Sequence, residues 1–135
     1  MGMFDALRIS ASGMTAERLR MDVTAENLAN AQTTRGADGQ VFRRKEVVLA
    51  EGTPSFDEVL RGVRVAGVVE DPSPPRRVYD PGHPDADKDG YVSLPNVSTV
   101  TEMVDLITAS RGYEADVQSM NTAKQMFVKA LDILR

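Results

Sequence analysis

The most chemically suggestive stretch of this chain is Asp85-Ala86-Asp87-Lys88-Asp89-Gly90-Tyr91-Val92-Ser93. Carboxylates at alternate positions, then a glycine and an apolar residue, match the front half of an EF-hand loop, where such oxygens surround a hard cation. The back half does not match. Asn96 stands where the bidentate glutamate belongs, and Pro95 precedes it. Pro81 and Pro84 occupy the place of an entering helix, which they forbid. The stretch reads as an Asp- and Gly-rich surface turn, with weak calcium binding as its alternative, and no metal-ligand set is assigned.

His83 is the single histidine and lies between Gly82 and Pro84, with no acid–base partner placed beside it. The chain has no cysteine, which excludes disulfides, thiolate nucleophiles and zinc–thiolate sites. No nucleophile-elbow pattern occurs. No catalytic and no cofactor-binding residue is assigned, and the chain does not read as an enzyme. Arg43-Arg44-Lys45 and Arg76-Arg77 are short basic clusters. They read as solvated strand edges, with docking to an acidic neighbour as the alternative. A net charge of −4 argues against a nucleic-acid partner, which would call for a basic face. No small-molecule substrate is implied.

The elements that must position these residues are long helices. From about Asn96 to Arg135, alternating steps of three and four give Met103, Leu106, Ser110, Tyr113, Val117, Met120, Lys124, Phe127, Leu131 and Leu134. This is a heptad seam interrupted by Ser110 and Lys124, and it predicts a helix over 98–135 packed on other helices. Such a helix runs to roughly 55–60 Å, longer than the domain this chain can build. Thr99-Val100-Thr101-Glu102 fits a capping box at its start.

Residues 3–31 predict a second long helix. Leu7, Met14, Met21 and Leu28 recur every seven residues, and a second stripe runs Ile9, Ala16, Leu19, Val23. Two apolar stripes suit a helix inside an assembly. Gly13 interrupts the pattern at a cost of about 1 kcal/mol in helix propensity. A kink or fray is the plain account of it; close approach of a neighbouring helix is the other.

Between the helices the period falls to two. Gln40 to Glu51 and Gly62 to Glu70 are Val-rich and alternate, which predicts a small antiparallel sheet, with a short turn in 52–60. Residues 71–96 hold most of the prolines and predict a stiffened arm with short strands at 76–79 and 91–94. The fold class is α+β: one domain over 1–135, with helices 3–31 and 98–135 paired as a coiled coil around a β-rich insertion and Pro-rich arm at 40–95. The core must be built from Val, Leu, Met and Ala, since aromatics are 5% and Trp is absent. The N-terminus lacks the basic and apolar regions of a cleavable signal, Ala6 fails the myristoylation motif, and no apolar run is long enough to span a membrane.

With these segments in hand, the chain resembles the flagellar basal-body rod proteins, nearest to the proximal-rod members. Ala25-Glu26-Asn27-Leu28-Ala29-Asn30 followed by Thr33-Thr34 looks like the Asn-rich motif that closes the first helix across that family. Val69-Glu70-Asp71-Pro72-Ser73-Pro74 and Tyr79-Asp80-Pro81-Gly82-His83-Pro84-Asp85-Ala86-Asp87 look like its middle segment. Gly90-Tyr91-Val92, Pro95-Asn96-Val97, Glu102 to Ile107 and Ala109 to Ala115 look like the segment opening the last helix. Two departures are Glu26, where Asn is commoner, and Gly112, where Ala is usual.

The resemblance implies a structural subunit, not an enzyme. It implies assembly with copies of itself and other flagellar rod proteins into a helical tube that transmits torque. It implies export through the flagellar type III apparatus without a cleavable signal, and a place in the rod within the periplasm. Asn27, Asn30, Thr33, Pro81, Gly82, His83 and Pro84 are its motif residues here. A cytosolic helical adaptor or export chaperone using the same heptad faces is the competing reading, and a calcium-binding module is the third.

Overall fold

The computed structural model describes residues 3–36, 39–51 and 62–133. Its elements run α1 (Met3–Ala29), β1 (Lys45–Glu51), β2 (Val63–Glu70), β3 (Arg76–Tyr79), β4 (Tyr91–Leu94) and α2 (Thr99–Ile133). This is the α+β order that the change of period predicts. The turn expected in 52–60 and the seam residue Leu134 lie outside the described residues.

The two helices are antiparallel. Phe4 meets Phe127 with ring centroids 6.5 Å apart, Gly13 lies against Asp116, Gly112 against Glu17, and Asn27 against Glu102. Numbers rise on one helix as they fall on the other. α2 has 35 residues to the 27 of α1, about 52 Å of helix at 1.5 Å per residue.

α1 runs unbroken through Gly13, so it does not fray there. The glycine serves close approach instead: a Cβ would stand 2.9 Å from Asp116 Cγ. The helix stops at Ala29, two residues before the expected end. Asn30 turns its Nδ2 back onto the Glu26 carbonyl at 2.9 Å, and the Ala31 amide shortens to a bond with Leu28 O. A polar side chain that competes for helix carbonyls ends the helix in this way.

The start of α2 also differs from its expectation. Ser98, not Thr99, caps it: Ser98 Oγ accepts from Thr101 N at 3.4 Å, and Ser98 O accepts from Glu102 N at 2.9 Å. Glu102 does not reach back to Thr99. It points inward, where only 1% of it is exposed.

β1 and β2 pair antiparallel, with a register shift after Val48 that leaves Ala66 unpaired; β3 and β4 form a second, separate two-stranded sheet. The buried residues Ala16, Val23, Thr24, Asn27, Ala31, Val92, Pro95, Val97, Glu102 and Ala109 run from the middle of α1 to its end and from β4 into the first third of α2. The opposite end, with Phe4, Leu131 and Ile133, is exposed. Among the described residues, no helix is long and apolar enough to cross a membrane.

Candidate functional site

The closed end of the helix pair is held by a polar cluster from three elements. Asn27, 1% exposed, presents its amide to the first residue of β1 as a neighbouring strand would. Its Nδ2 donates to Lys45 O at 2.8 Å, and its Oδ1 accepts from Lys45 N at 2.9 Å. The same Nδ2 donates to Glu102 Oε2 at 3.0 Å. Arg44 Nε donates to the other Glu102 oxygen at 2.6 Å. Arg44 also pairs with Glu46 and lies 3.5 Å from Asp105. Burial alone would lower the Arg44 pKa, but the hydrogen bond and charge of Glu102, with Glu46 beyond it, hold the pKa above its ordinary value. A buried carboxylate is tolerated because both oxygens are bonded and a cation faces it. The bonds join α1, the strand segment at 44–45 and α2 at one point.

A second cluster organises the loop between β3 and β4. Asp87 Oδ1 accepts from Asp89 N and Tyr91 N, both at 2.9 Å, and its Oδ2 pairs with Arg77. The Tyr91 amide first, aided by the Asp89 amide and Arg77, holds the Asp87 pKa below the usual carboxylate range. Asp85 accepts from Thr34 Oγ1 at 2.7 Å and lies 3.5 Å from Arg35, which ties the loop to the segment that follows α1. His83 Nδ1 accepts from Asp85 N at 3.1 Å. Gly90 has φ +81°, a conformation that favours glycine, and a Cβ there would press the Tyr79 ring. The Asp85 carboxylate serves a hydroxyl and Arg35, and that of Asp87 serves two backbone amides and Arg77. Among the described residues, no three His, Cys, Asp or Glu side chains gather as a metal-ligand group.

The basic clusters have local partners. Lys45 Nζ lies 2.6 Å from Glu26 Oε1, and the Arg77 guanidinium stacks 4.8 Å from the Tyr91 ring centroid.

On the helices, Leu7, Met14, Met21, Leu28, Leu106, Tyr113, Val117 and Met120 are half-buried; Met103, Phe127 and Leu131 are exposed. On α2, Glu102, Gly112, Asp116 and Phe127 meet α1, and of these Phe127 belongs to the expected seam. Glu102 and Ala109 are buried, whereas their seam neighbours Met103 and Ser110 are exposed and half-buried. Of the motif residues, Asn27 is buried, Thr33 Oγ1 donates to Asn30 Oδ1 at 3.3 Å, and Pro81, Gly82 and Pro84 lie exposed beside half-buried His83. The Arg44–Glu102 pair escapes sequence reasoning. Glu102 satisfies a capping spacing, and Arg44 hides among three consecutive cations.

Two faces remain uncovered. Val100, Met103, Val104 and Ile107 follow the spacing of one helix face and are all more than half exposed, Val100 at 71%. At the far end Met126, Val128, Leu131 and Ile133 are exposed, Ile133 at 85%.

The comparisons with known proteins bear on these faces. Residues 7–37 match the family described as flagella basal body rod protein, and residues 88–133 match the C-terminal family of flagellar basal body rod FlgEFG proteins. The flagellar basal-body rod protein FlgC of Borreliella burgdorferi is 44% identical across 100% of this chain and 99% of its own length. The chain belongs to the flagellar basal-body rod protein family. FlgC of Bacillus subtilis is 45% identical over 96% of this chain and 97% of that protein, and FlgC of Salmonella typhimurium is 42% identical over 98% of each. The rod family is structural rather than enzymatic. Its two matched segments coincide with α1 and its closing turn, and with β4 and α2.

Proposed function

We propose that this chain is a structural subunit of the proximal rod of the bacterial flagellum, packing with copies of itself and with other rod proteins into the helical drive shaft that transmits torque. The observation that carries the reading is surface left uncovered. The chain exposes 9651 Å², whereas a compact monomer of its mass exposes about 6,900 Å² by the usual scaling. Val100, Met103, Val104 and Ile107 on α2 are among the apolar residues left exposed. The single-domain organisation over 1–135 and the coiled-coil pairing of α1 with α2 belong to this proposal. So does the use of Leu7, Met14, Met21, Leu28, Met103, Leu106, Tyr113, Val117, Met120, Phe127, Leu131 and Leu134 as subunit or helix contacts, with the insertion and Pro-rich arm outward. Passage through the flagellar type III apparatus without signal cleavage, and a final place within the periplasm, rest on the family resemblance.

A cytosolic adaptor or export chaperone would use the same faces on one partner. The test is to delete the gene, restore it with an epitope-tagged copy, and purify basal bodies. The rod reading expects loss of rods on deletion and the intact tagged chain inside purified basal bodies. Recovery of the tag in the cytosol alone, or rods without the chain, would overturn it.

A further inference from the structure

We propose that the Arg44–Glu102 ion pair is a positioning contact that seats the sheet-bearing insertion on the helix pair. It thereby fixes how the insertion stands relative to the helices. Burial cannot do this alone, for no residue of β1 or β2 is fully buried. The hairpin lies on α1 through directional contacts: Lys45 on Asn27, and Val63 N donating to Ser12 Oγ at 3.1 Å. Arg44 gathers both strands. Its side chain reaches Glu102 on α2, it directly precedes β1, and its carbonyl accepts from Asp71 N at 2.8 Å, immediately past β2. One residue therefore ties the start of β1 and the end of β2 to the first turn of α2.

The chemistry suits orientation. A buried ion pair adds little net stability over apolar residues of similar volume, yet misplacing one partner strands a charge in the interior. Short charge-assisted hydrogen bonds are also directional. Glu102, at 1% exposure, is well bonded only when Arg44, and the hairpin it carries, arrive in one pose.

The absence of cysteine permits a direct test. A Cβ at Gly62 would lie 3.3 Å from Ser12 Cβ, close to the separation a disulfide needs. The purified full chain carrying Ser12→Cys and Gly62→Cys reports the seated hairpin as an intramolecular cross-link on mild oxidation. On that background Glu102→Gln, and the apolar double replacement Arg44→Met with Glu102→Leu, are expected to keep helix content and lose most of the cross-linked band. A full band in either variant overturns the proposal. Loss of helix content in Glu102→Gln also overturns it, because the pair would then hold the helices together rather than seat the insertion. The cross-link reads this geometry whether or not the chain enters a rod, so this inference and the rod reading fail separately.

Discussion

Gly13 of α1 lies directly beneath the carboxylate of Asp116 on α2, and the relation is mirrored one turn along, where Gly112 of α2 lies beneath Glu17 of α1. Each helix gives up a side chain where the other places an acid. The two glycines differ in how much their neighbours can yield. Glu17 is long, and a Cβ at Gly112 would stand 3.1 Å from its Cδ; Asp116 is short, and a Cβ at Gly13 would stand 2.9 Å from its Cγ.

Gly112→Ala is therefore expected to be neutral or to stabilise by up to about 1 kcal/mol through helix propensity. Gly13→Ala is expected to destabilise by about 1–2 kcal/mol, because overpacking outweighs the same gain. Urea unfolding of the two variants decides it, and equal effects would contradict the close approach.

Asn27 is the second test. Asn27→Ala removes two hydrogen bonds to Lys45 and one to Glu102, with an expected loss of about 2–3 kcal/mol. Asn27→Asp keeps the acceptor but sets a second carboxylate beside Glu102, so it is expected to cost more at neutral pH through like-charge repulsion. A milder effect of Asp than of Ala in thermal melts would refute the arrangement.

Much of this fold is legible in the residues. Seven-residue recurrence of Leu7, Met14, Met21 and Leu28 locates α1, and short Val- and Tyr-bearing runs between prolines locate β3 and β4. What misleads is the habit of assigning the largest apolar residue to the seam. Met103 is more apolar than Glu102, yet the inner row takes Glu102, because Arg44 approaches from 58 residues away to neutralise it. No local pattern carries that information. Gly13 misleads similarly: its lost propensity is visible in sequence, while the acid it accommodates lies on the other helix.

The outward face of α2 separates folding from assembly. Val104 and Ile107 are 56% and 55% exposed, so Val104→Asp and Ile107→Asp are expected to change subunit stability by no more than about 0.5 kcal/mol. Both are expected to abolish motility, since a neighbour that covers this face would bury an unpaired charge. Motile cells carrying the double variant would remove this face from the assembly surface.

The β3–β4 loop has a defined pH response. Its Asp87 pKa is depressed in the folded chain, so its contribution is present above the unfolded value, near 3.9, and is lost as pH falls through the folded value. Backbone amides of Asp89 and Tyr91 are expected to hold their NMR positions down to the ordinary carboxylate range and to shift together only below it. A transition at the ordinary aspartate value would deny that the amides hold the charge. Since this side chain is exposed, the effect is local and leaves the helices unchanged.

Among the described residues, every fully buried one belongs to 16–31 or 92–109, so the helix pair is shut at one end and loose at the other, like tongs. Local opening follows buried contacts. Amide protection is therefore expected to be strongest at Val23–Asn27 and Glu102–Ala109 and to decline toward Met126–Ile133. The shut end sets the alignment of the two helices, and the loose end is where opening is expected. An arriving neighbour would then need only to clasp the tips, because the alignment of the pair is already set some 30 Å away, about twenty residues up the helix.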